Sequence, residues 1–173
     1  MTVGMIEAGA ADLGAVMAIL DSGRAAQRSL GFVQWLDGYP DEATVSRDIA
    51  ARVGRLLVAD GAIAGYAAVI ANDPGYHSTE DAWALHGQFA VIHRLALCSR
   101  FRGKGLSSRF MTLLEDEARQ RGIEVMRVDT GESNLPMHRL LARLSYTPRG
   151  AIAFPWGTRL AFEKSLLNVN FVI

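Results

Sequence analysis

A short basic and glycine-rich run lies near the middle of the chain, at residues 100–108, between a strand-like and a helix-like segment. Glycine lets the backbone come close to a ligand, and the first amides of a helix have no hydrogen-bond partner within that helix. The positive end of the helix dipole and three basic side chains, Arg100, Arg102 and Lys104, lie at the same place. This combination is typical of a site that binds a pyrophosphate.

Two common phosphate-binding motifs do not fit this run. A P-loop has Ser or Thr directly after Gly-Lys, whereas Gly105 follows Lys104 here. A Rossmann fingerprint has three spaced glycines at the start of a βαβ unit, and the third is missing. The alternative that the run is only a basic turn before a helix stays open, because glycine-rich turns are common.

The composition requires any anion site to be local. The 173 residues are the size of one domain, which we expect to span 1–173. Eighteen basic side chains balance eighteen acidic ones, so no overall field attracts nucleic acid or an anionic membrane. Cys98 is the only cysteine, which excludes an internal disulfide, and we expect no metal site. The start of the chain does not resemble a signal peptide, and the apolar stretch 61–71 is too short to span a bilayer, so we expect a cytoplasmic protein.

Hydrophobic periodicity and turn residues predict a mixed α/β chain in which strands outnumber helices. Helices are predicted to begin near Asp12, Asp41, Gly105 and Pro136. The predicted strands are residues 3–8, 55–60, 62–70, 89–97, 124–130, 146–154 and 156–166. Segment 29–40 is predicted as a loop or a broken helix. Segment 72–88 is predicted as a long loop, and loops of that length are usually functional or mobile.

The stretch from residue 92 to residue 146 resembles the core of the GNAT superfamily of N-acetyltransferases. The loop pattern of that family, Gln/Arg-x-x-Gly-x-Gly/Ala, matches Arg102, Gly105 and Ser107, with Ser as the last small residue. The resemblance implies an acyl-CoA N-acyltransferase (GNAT-like) fold of the α+β type. In that fold a mixed, mostly antiparallel central sheet of about six or seven strands is flanked by about four helices.

The resemblance also implies that acetyl-CoA is the co-substrate. The backbone of the strand before the loop, at Leu95, Ala96 and Leu97, would bind the pantetheine arm. Asn134 matches an asparagine that contacts the cofactor arm in the family, whereas Leu141 occupies the position of the family's usual tyrosine acid, and Tyr146 is interpreted as a packing residue. The pyrophosphate would be held by the loop residues Arg102, Gly103, Lys104, Gly105, Leu106 and Ser107.

Acyl transfer to an amine needs a general base, because a free amine such as lysine titrates near ~10.4 and is protonated at neutral pH. His93 is the first candidate, since an unperturbed histidine titrates near ~6.5, and Asp129 is the second. The alternatives are a histidine that is hydrogen-bonded inside the sheet, and a carboxylate that only caps Gly131 or binds Arg127.

Four aromatic side chains in the two long segments are candidates for binding the acceptor: Trp35, Tyr39, Trp83 and His86. Their alternative role is packing. Residues 34–40 also resemble a segment of some bacterial GNAT proteins whose substrate is unassigned.

The leading functional hypothesis is direct transfer of an acetyl group, in a ternary complex, to a primary amine of a small molecule or peptide. The alternatives are a non-catalytic acyl-CoA sensor or interaction module with the same loop, and a generic nucleotide-phosphate binder. The apolar tail 166–173 is compatible with a homodimer interface. Neither nucleic acid nor membrane is an expected partner.

Overall fold

The computed structural model describes residues 1–32, 34–35 and 38–167. Part of the run 34–40 and most of the apolar tail 166–173 therefore lie outside the described residues. Within the described part, none of the helices combines the length and apolar character that a bilayer span requires.

The described part of the chain contains seven strands and four α-helices. The strands are β1 (Val3–Glu7), β2 (Gly54–Ala59), β3 (Ala62–Ala71), β4 (Phe89–Leu97), β5 (Val125–Thr130), β6 (Thr147–Phe154) and β7 (Gly157–Ser165). The α-helices are α1 (Leu13–Ser29), α2 (Glu42–Ala50), α3 (Leu106–Gln120) and α4 (Leu135–Arg143). Three 3₁₀ helices lie at Ala10–Asp12, Pro74–Ala82 and Ser99–Phe101.

All seven strands belong to one sheet with the order β1-β2-β3-β4-β5-β7-β6. Only the β4–β5 pair is parallel, and the other neighbours are antiparallel. The predicted mixed, mostly antiparallel sheet with about four flanking helices is thus confirmed. A hairpin turn at Asp60 and Gly61 joins β2 to β3, with both residues at positive φ, 48° and 78°.

Helices cover both faces of the sheet because consecutive residues of a strand point to opposite faces. Leu56 packs in the cluster that contains Val16 and Leu20 of α1, whereas Leu57 packs in the cluster that contains Phe110 of α3. The apolar stripe of α3 is fully on its buried side, as its helical spacing predicts. The loop after β4 and the start of α3 are therefore fixed to the sheet by a packed core.

The β4 and β5 strands pair at three positions and then separate. The last of these pairs is Val91 with Arg127. Just beyond, β4 has a bulge: Ala68 pairs with His93 and Tyr66 with Ala96, so that two residues of β4 lie opposite one of β3. Arg94, inside the bulge, has a φ of 57°. A bulge bends its strand, and this one bends β4 at the point where its pairing with β5 ends. The result is a wedge between the two strands, open toward their carboxyl ends.

The segment 72–88 is less open than the sequence predicts. Its 3₁₀ helix Pro74–Ala82 lies against the sheet, and Tyr76 and Trp83 are buried with Ile152 and Phe154 of β6. The aromatic residues have no helical or alternating spacing, so only the tertiary contact reveals that this segment is packed.

Candidate active site

The loop between β4 and α3 presents backbone amides. Gly103 and Gly105 both have a φ of 74°, in the left-handed region that glycine adopts without strain. The backbone amides of residues 103–108 donate no hydrogen bond to any residue that the structure describes. The first turn of α3 contains no acidic residue. Six consecutive free amides at a helix N-terminus form a suitable cradle for phosphate oxygens.

The basic side chains of this loop have protein partners of their own. The Arg102 guanidinium donates to the carbonyl and hydroxyl oxygens of Ser22 on α1, at 2.8 and 2.9 Å. The Arg100 guanidinium lies 4.7 Å, and the Lys104 ammonium 5.6 Å, from the centroid of the Phe101 ring. The Arg102 amide donates to the Ser99 carbonyl, so the free amides begin at Gly103, one residue later than the sequence predicts.

A cavity of about 610 Å³ occupies the wedge between β4 and β5. Its volume is ordinary for a small-molecule site. Six residues that the sequence predicts to be functional line it: Trp35, Tyr39, His93, Leu95, Asp129 and Asn134.

His93 forms a close pair with an aspartate that the sequence analysis did not select. Its Nε2 lies 2.6 Å from Oδ2 of Asp73, and the two side chains are 15% and 13% exposed. Burial by itself raises the pKa of the Asp73 carboxyl, but the hydrogen bonds from His93 and the Gly75 amide outweigh burial and lower that pKa overall. The carboxylate therefore stays ionised and orients the imidazole. With Nε2–H donated to Asp73, Nδ1 is the nitrogen that can accept a proton.

Asp129 has a different environment from the one expected of a base. Its Oδ1 accepts a hydrogen bond from Nε of Arg159 at 3.0 Å, and its Oδ2 accepts one from the Tyr76 hydroxyl. Burial and the charge of Asp129 raise the pKa of Tyr76 well above its usual value, so the hydroxyl remains a donor. Since both oxygens are engaged and the side chain is 6% exposed, Asp129 is placed to anchor Arg159 rather than to take a proton. Asp129 therefore does not bind Gly131 or Arg127, the two alternative partners that the sequence analysis considers.

Asn134 lies at the cavity wall as the N-cap of α4, with both ends of its amide engaged. Its Oδ1 accepts from the Met137 amide at 3.3 Å, and its Nδ2 donates to Oε1 of Gln34 and to Oγ1 of Thr130. Gln34 Oε1 also accepts from Thr130 and from the Gly131 amide. The sequence shows no signal for Gln34, because its partners are about a hundred positions away.

Tyr39 is held at the cavity by a hydrogen bond from Arg94, and Trp35 by packing against α1. The Arg94 guanidinium donates Nε and Nη2 to Asp48, at 2.8 and 2.6 Å, and Nη1 to the Tyr39 hydroxyl at 2.8 Å. The Trp35 ring lies so close to Gly23 of α1 that a Cβ there would meet it at 2.9 Å. A helical glycine thus makes room for the indole.

Trp83 and His86 are not brought into this cavity. Trp83 is 3% exposed, stacks on Tyr76, and has the Arg127 guanidinium 4.6 Å from its ring centroid. His86 lines a separate pocket of about 150 Å³ beside Glu80. The reason is that the 3₁₀ helix turns the far end of segment 72–88 toward β6 and β7, away from the wedge.

Neither Leu141 nor Tyr146 lines the cavity. Leu141 is fully buried in the core on the α3 side. The Tyr146 hydroxyl donates to Glu115 at 2.9 Å inside the same core, and burial together with that carboxylate raises the pKa of Tyr146 well above its usual value. Tyr146 is accordingly placed as a packing residue. Among the described residues, no group of three or more His, Cys, Asp and Glu side chains has the arrangement of a metal site.

A family profile described as the acetyltransferase (GNAT) family matches residues 22–146. The chain belongs to this family. The match includes the wedge strands, the free-amide loop and α4, and it confirms the resemblance inferred from the sequence. A search of curated proteins gave no match.

Solved structures agree with this membership. A GNAT-family acetyltransferase from Streptococcus agalactiae is 29% identical, with a TM-score of 0.83 and coverage of 94% of this chain and 95% of that one. The yncA protein of Salmonella typhimurium, solved with its cofactor acetyl-CoA, is 20% identical, with a TM-score of 0.68 and coverage of 96% and 95%. The aminoglycoside acetyltransferase AAC(6')-Ib in complex with coenzyme A is 17% identical, with a TM-score of 0.70 and coverage of 95% of both chains. The last two similarities concern the fold.

Proposed function

We propose that this GNAT protein is an N-acetyltransferase that moves the acetyl group of acetyl-CoA directly to a primary amine of a small molecule or peptide in a ternary complex. The observation that supports this most is the paired His93 and Asp73 in the wall of the wedge cavity. A histidine whose one nitrogen is held by a carboxylate and whose other nitrogen is free is the arrangement of a general base.

The free-amide loop and the β4 edge suit the cofactor. The amides of residues 103–108 would hold the pyrophosphate, at the positive end of α3. Beyond Val91, β4 pairs with none of the described strands on its β5 side, so its backbone from Leu95 to Leu97 would pair with the amide groups of the pantetheine arm. Two coenzyme-bound structures of the same fold, yncA and AAC(6')-Ib, support the choice of ligand. Acetyl-CoA supplies an activated thioester.

The reaction exchanges one bond for another at the acetyl carbon. The amine nitrogen attacks the thioester carbonyl carbon, a C–N bond forms, and the C–S bond breaks. His93 takes the proton that the nitrogen must lose, and the Asp73 carboxylate stabilises the imidazolium that results. Because Leu141 provides no acid, the departing thiolate takes its proton from water.

A second candidate function is that of a non-catalytic acyl-CoA sensor, and the apolar Leu141 favours it. A GNAT fold without the usual tyrosine acid could bind the coenzyme and turn over no amine. The two candidates share the cofactor loop and differ only in whether CoA is released.

Replacing His93 by Ala tests the proposal. We expect kcat/KM to fall by about 100-fold or more, the usual contribution of a general base, while the Kd for acetyl-CoA stays the same. The residual rate should rise with pH, because an amine that has lost its proton needs no base. Release of the CoA thiol measures turnover over a panel of amino acids, polyamines, aminoglycosides and peptide N-termini, and calorimetry measures the Kd.

His86→Ala is the matched control, since it removes a histidine that lies outside the wedge cavity. It should behave as the wild type does. A His93→Ala variant with a wild-type pH–rate profile would reject His93 as the base. Tight binding of acetyl-CoA by the wild type with no CoA release on any amine would favour the sensor.

A further inference from the structure

Two arginines line the wedge cavity, and they differ in how many of their donors are used. All three nitrogens of Arg94 donate to Asp48 or Tyr39. In Arg159, only Nε is engaged, with Asp129, and neither Nη atom donates to a residue that the structure describes. The Arg159 side chain is 18% exposed, against 8% for Arg94. Arg159 therefore presents up to four N–H donors to a ligand.

The carboxylates of the same cavity each accept two hydrogen bonds from protein groups. Both oxygens of Asp129 accept hydrogen bonds, from Arg159 and from Tyr76. Both oxygens of Asp73 accept as well, from the Gly75 amide at 2.9 Å and from His93. A second ammonium group, such as that of a polyamine, would have to share these carboxylates with the partners that they already bind. An anionic group would find the outer nitrogens of Arg159 available.

Arg159 lines the same cavity as the proposed base, His93, and the two are connected through Asp129 and Tyr76. The Tyr76 hydroxyl binds Asp129, the anchor of Arg159, and the same tyrosine ring lies edge-on to the His93 ring with centroids 6.1 Å apart. Trp156, at the turn between β6 and β7, completes this wall, with its centroid 6.4 Å from that of His93. A compact molecule that carries an amine and an anion within a few bonds can therefore contact both residues.

The wall around Arg159 is rigid. Trp156 stacks on Phe154 with centroids 5.0 Å apart and planes at 10°. Its opposite neighbour is Gly75, where a Cβ would meet the indole at 2.7 Å. The indole is nevertheless 48% exposed, so it offers an apolar surface at the cavity edge. A pre-formed cation next to an aromatic surface matches the backbone carboxylate and the side chain of an amino acid.

We propose that Arg159 binds the carboxylate of the acceptor, so that the acceptors of this enzyme are free amino acids. Planar bidentate pairing with a carboxylate is the contact that a guanidinium makes best. The inference rests on the N-acetyltransferase function proposed above, and it adds the acceptor class and the residue that selects it.

The test compares amino acids with their α-carboxamides, which have the same size but lack the negative charge of the α-carboxylate. Suitable probes are glycine, alanine, phenylalanine, methionine, glutamate and lysine, with kcat/KM referred to the unprotonated amine because amidation lowers the amine's pKa. We expect the wild type to prefer the acids by at least about tenfold, the factor that corresponds to one charge-assisted hydrogen bond. The double variant Arg159→Gln with Asp129→Asn, which leaves no buried charge unpaired, should lose this preference without a change in the KM for acetyl-CoA. Arg159→Lys should retain part of it.

Arg149→Gln is the matched control. Arg149 lies on the neighbouring strand β6, and its Nε is 3.4 Å from the buried carboxylate of Glu163, outside the wedge cavity. This variant should keep the preference for acids. A wild type that acetylates carboxamides or polyamines as well as it acetylates acids would overturn the inference and leave the proposed function standing.

If no amine is acetylated, the binding of N-acetyl amino acids can still test whether the carboxylate site exists. Calorimetry with N-acetyl amino acids and their amides, in the presence of CoA, then measures the anion site without turnover. Binding of the acids that is lost in the double variant would support the carboxylate site although the proposed activity fails. Equal binding of acids and amides, or no binding of either, would overturn the inference.

Discussion

The free-amide loop and the wedge cavity are built in opposite ways. The loop offers six backbone amides that are consecutive in the chain, and its glycines set their direction. The cavity is built from side chains that are distant in sequence: His93 and Asp73 are 20 positions apart, Arg159 and Asp129 are 30, and Tyr76 and Asp129 are 53. The loop therefore depends on local conformation, whereas the cavity depends on the packing of the whole sheet.

This difference predicts different sensitivities. A site made of amides should tolerate changes of side chain and respond to changes of φ. A site made of paired side chains should respond when one partner is removed, because the other is then left buried without its counter-charge. Substitutions of matched type in the two regions can show whether this division holds.

The largest effect on stability is expected for Asp48→Ala, which removes the buried partner of the cavity residue Arg94. Asp48 and Arg94 have side chains that are 7% and 8% exposed, and Asp48 also accepts a hydrogen bond from the Tyr66 hydroxyl. Removal of one partner of a buried ion pair costs about 3–5 kcal/mol, since it leaves the other charge desolvated. Urea unfolding should show this loss in the free energy of unfolding.

Glu7→Ala is the control for this substitution. Its partner Arg52 is 78% exposed, and Glu7 is 41% exposed, so water replaces the lost contact. The free energy of unfolding should change by a small fraction of the loss in Asp48→Ala. Similar losses of unfolding free energy in the two variants would mean that burial does not determine how much the Arg94–Asp48 pair contributes to stability.

A smaller effect on stability, with a specific effect on the cofactor, is expected for Gly105→Ala. A residue with a Cβ at positive φ costs about 1–2 kcal/mol, and the new methyl group would occupy open space in front of the loop amides. We expect the Kd for acetyl-CoA to rise by about tenfold, equivalent to 1.4 kcal/mol. Calorimetry measures the Kd, and thermal unfolding measures the stability.

Gly122→Ala provides the comparison at the other end of α3. Gly122 has a φ of 79° and, like Gly105, nothing within 4 Å of an added Cβ. The two variants should lose similar stability, but only Gly105→Ala should bind acetyl-CoA more weakly. Equal affinity in both would remove the loop from the cofactor site.

The same division explains what the sequence predicts well. Strand β4 was predicted at residues 89–97 and is found at Phe89–Leu97, because its apolar run has clear boundaries. The free-amide loop follows it directly, and glycine spacing together with the start of a helix is a local signal. The segment 72–88 was predicted as an open loop, since the packing of Tyr76 and Trp83 depends on residues of β6 that are far along the chain.

The side-chain pairs of the cavity, in contrast, could not be predicted from the sequence. Asp73 precedes Pro74 and Gly75, and that tripeptide is already explained by turn formation, so the sequence has no separate signal for the contact with His93. Arg159 is one basic residue on a strand, like Arg149 nearby. Only the fold shows that Arg159 lines the wedge cavity. The catalytic role of His93 stays a prediction until turnover is measured.

The smallest expected effect is a pH-dependent one, in Asp73→Asn. The folded-state pKa of Asp73 is lowered, chiefly by the hydrogen bonds from His93 and the Gly75 amide acting against burial. The carboxylate therefore stabilises the fold at pH values above its unfolded-state pKa of about 3.9, and this contribution disappears as the pH falls through the folded-state pKa. Asn keeps an oxygen for the Gly75 amide, so the substitution mainly removes the charged contact with His93. The difference in unfolding free energy between wild type and variant should shrink as the pH falls from about 5 toward about 3. A difference that stays constant to the lowest pH would show that the pair with His93 does not favour the ionised carboxyl, and the assignment of Asp73 as the residue that orients the base would then be wrong.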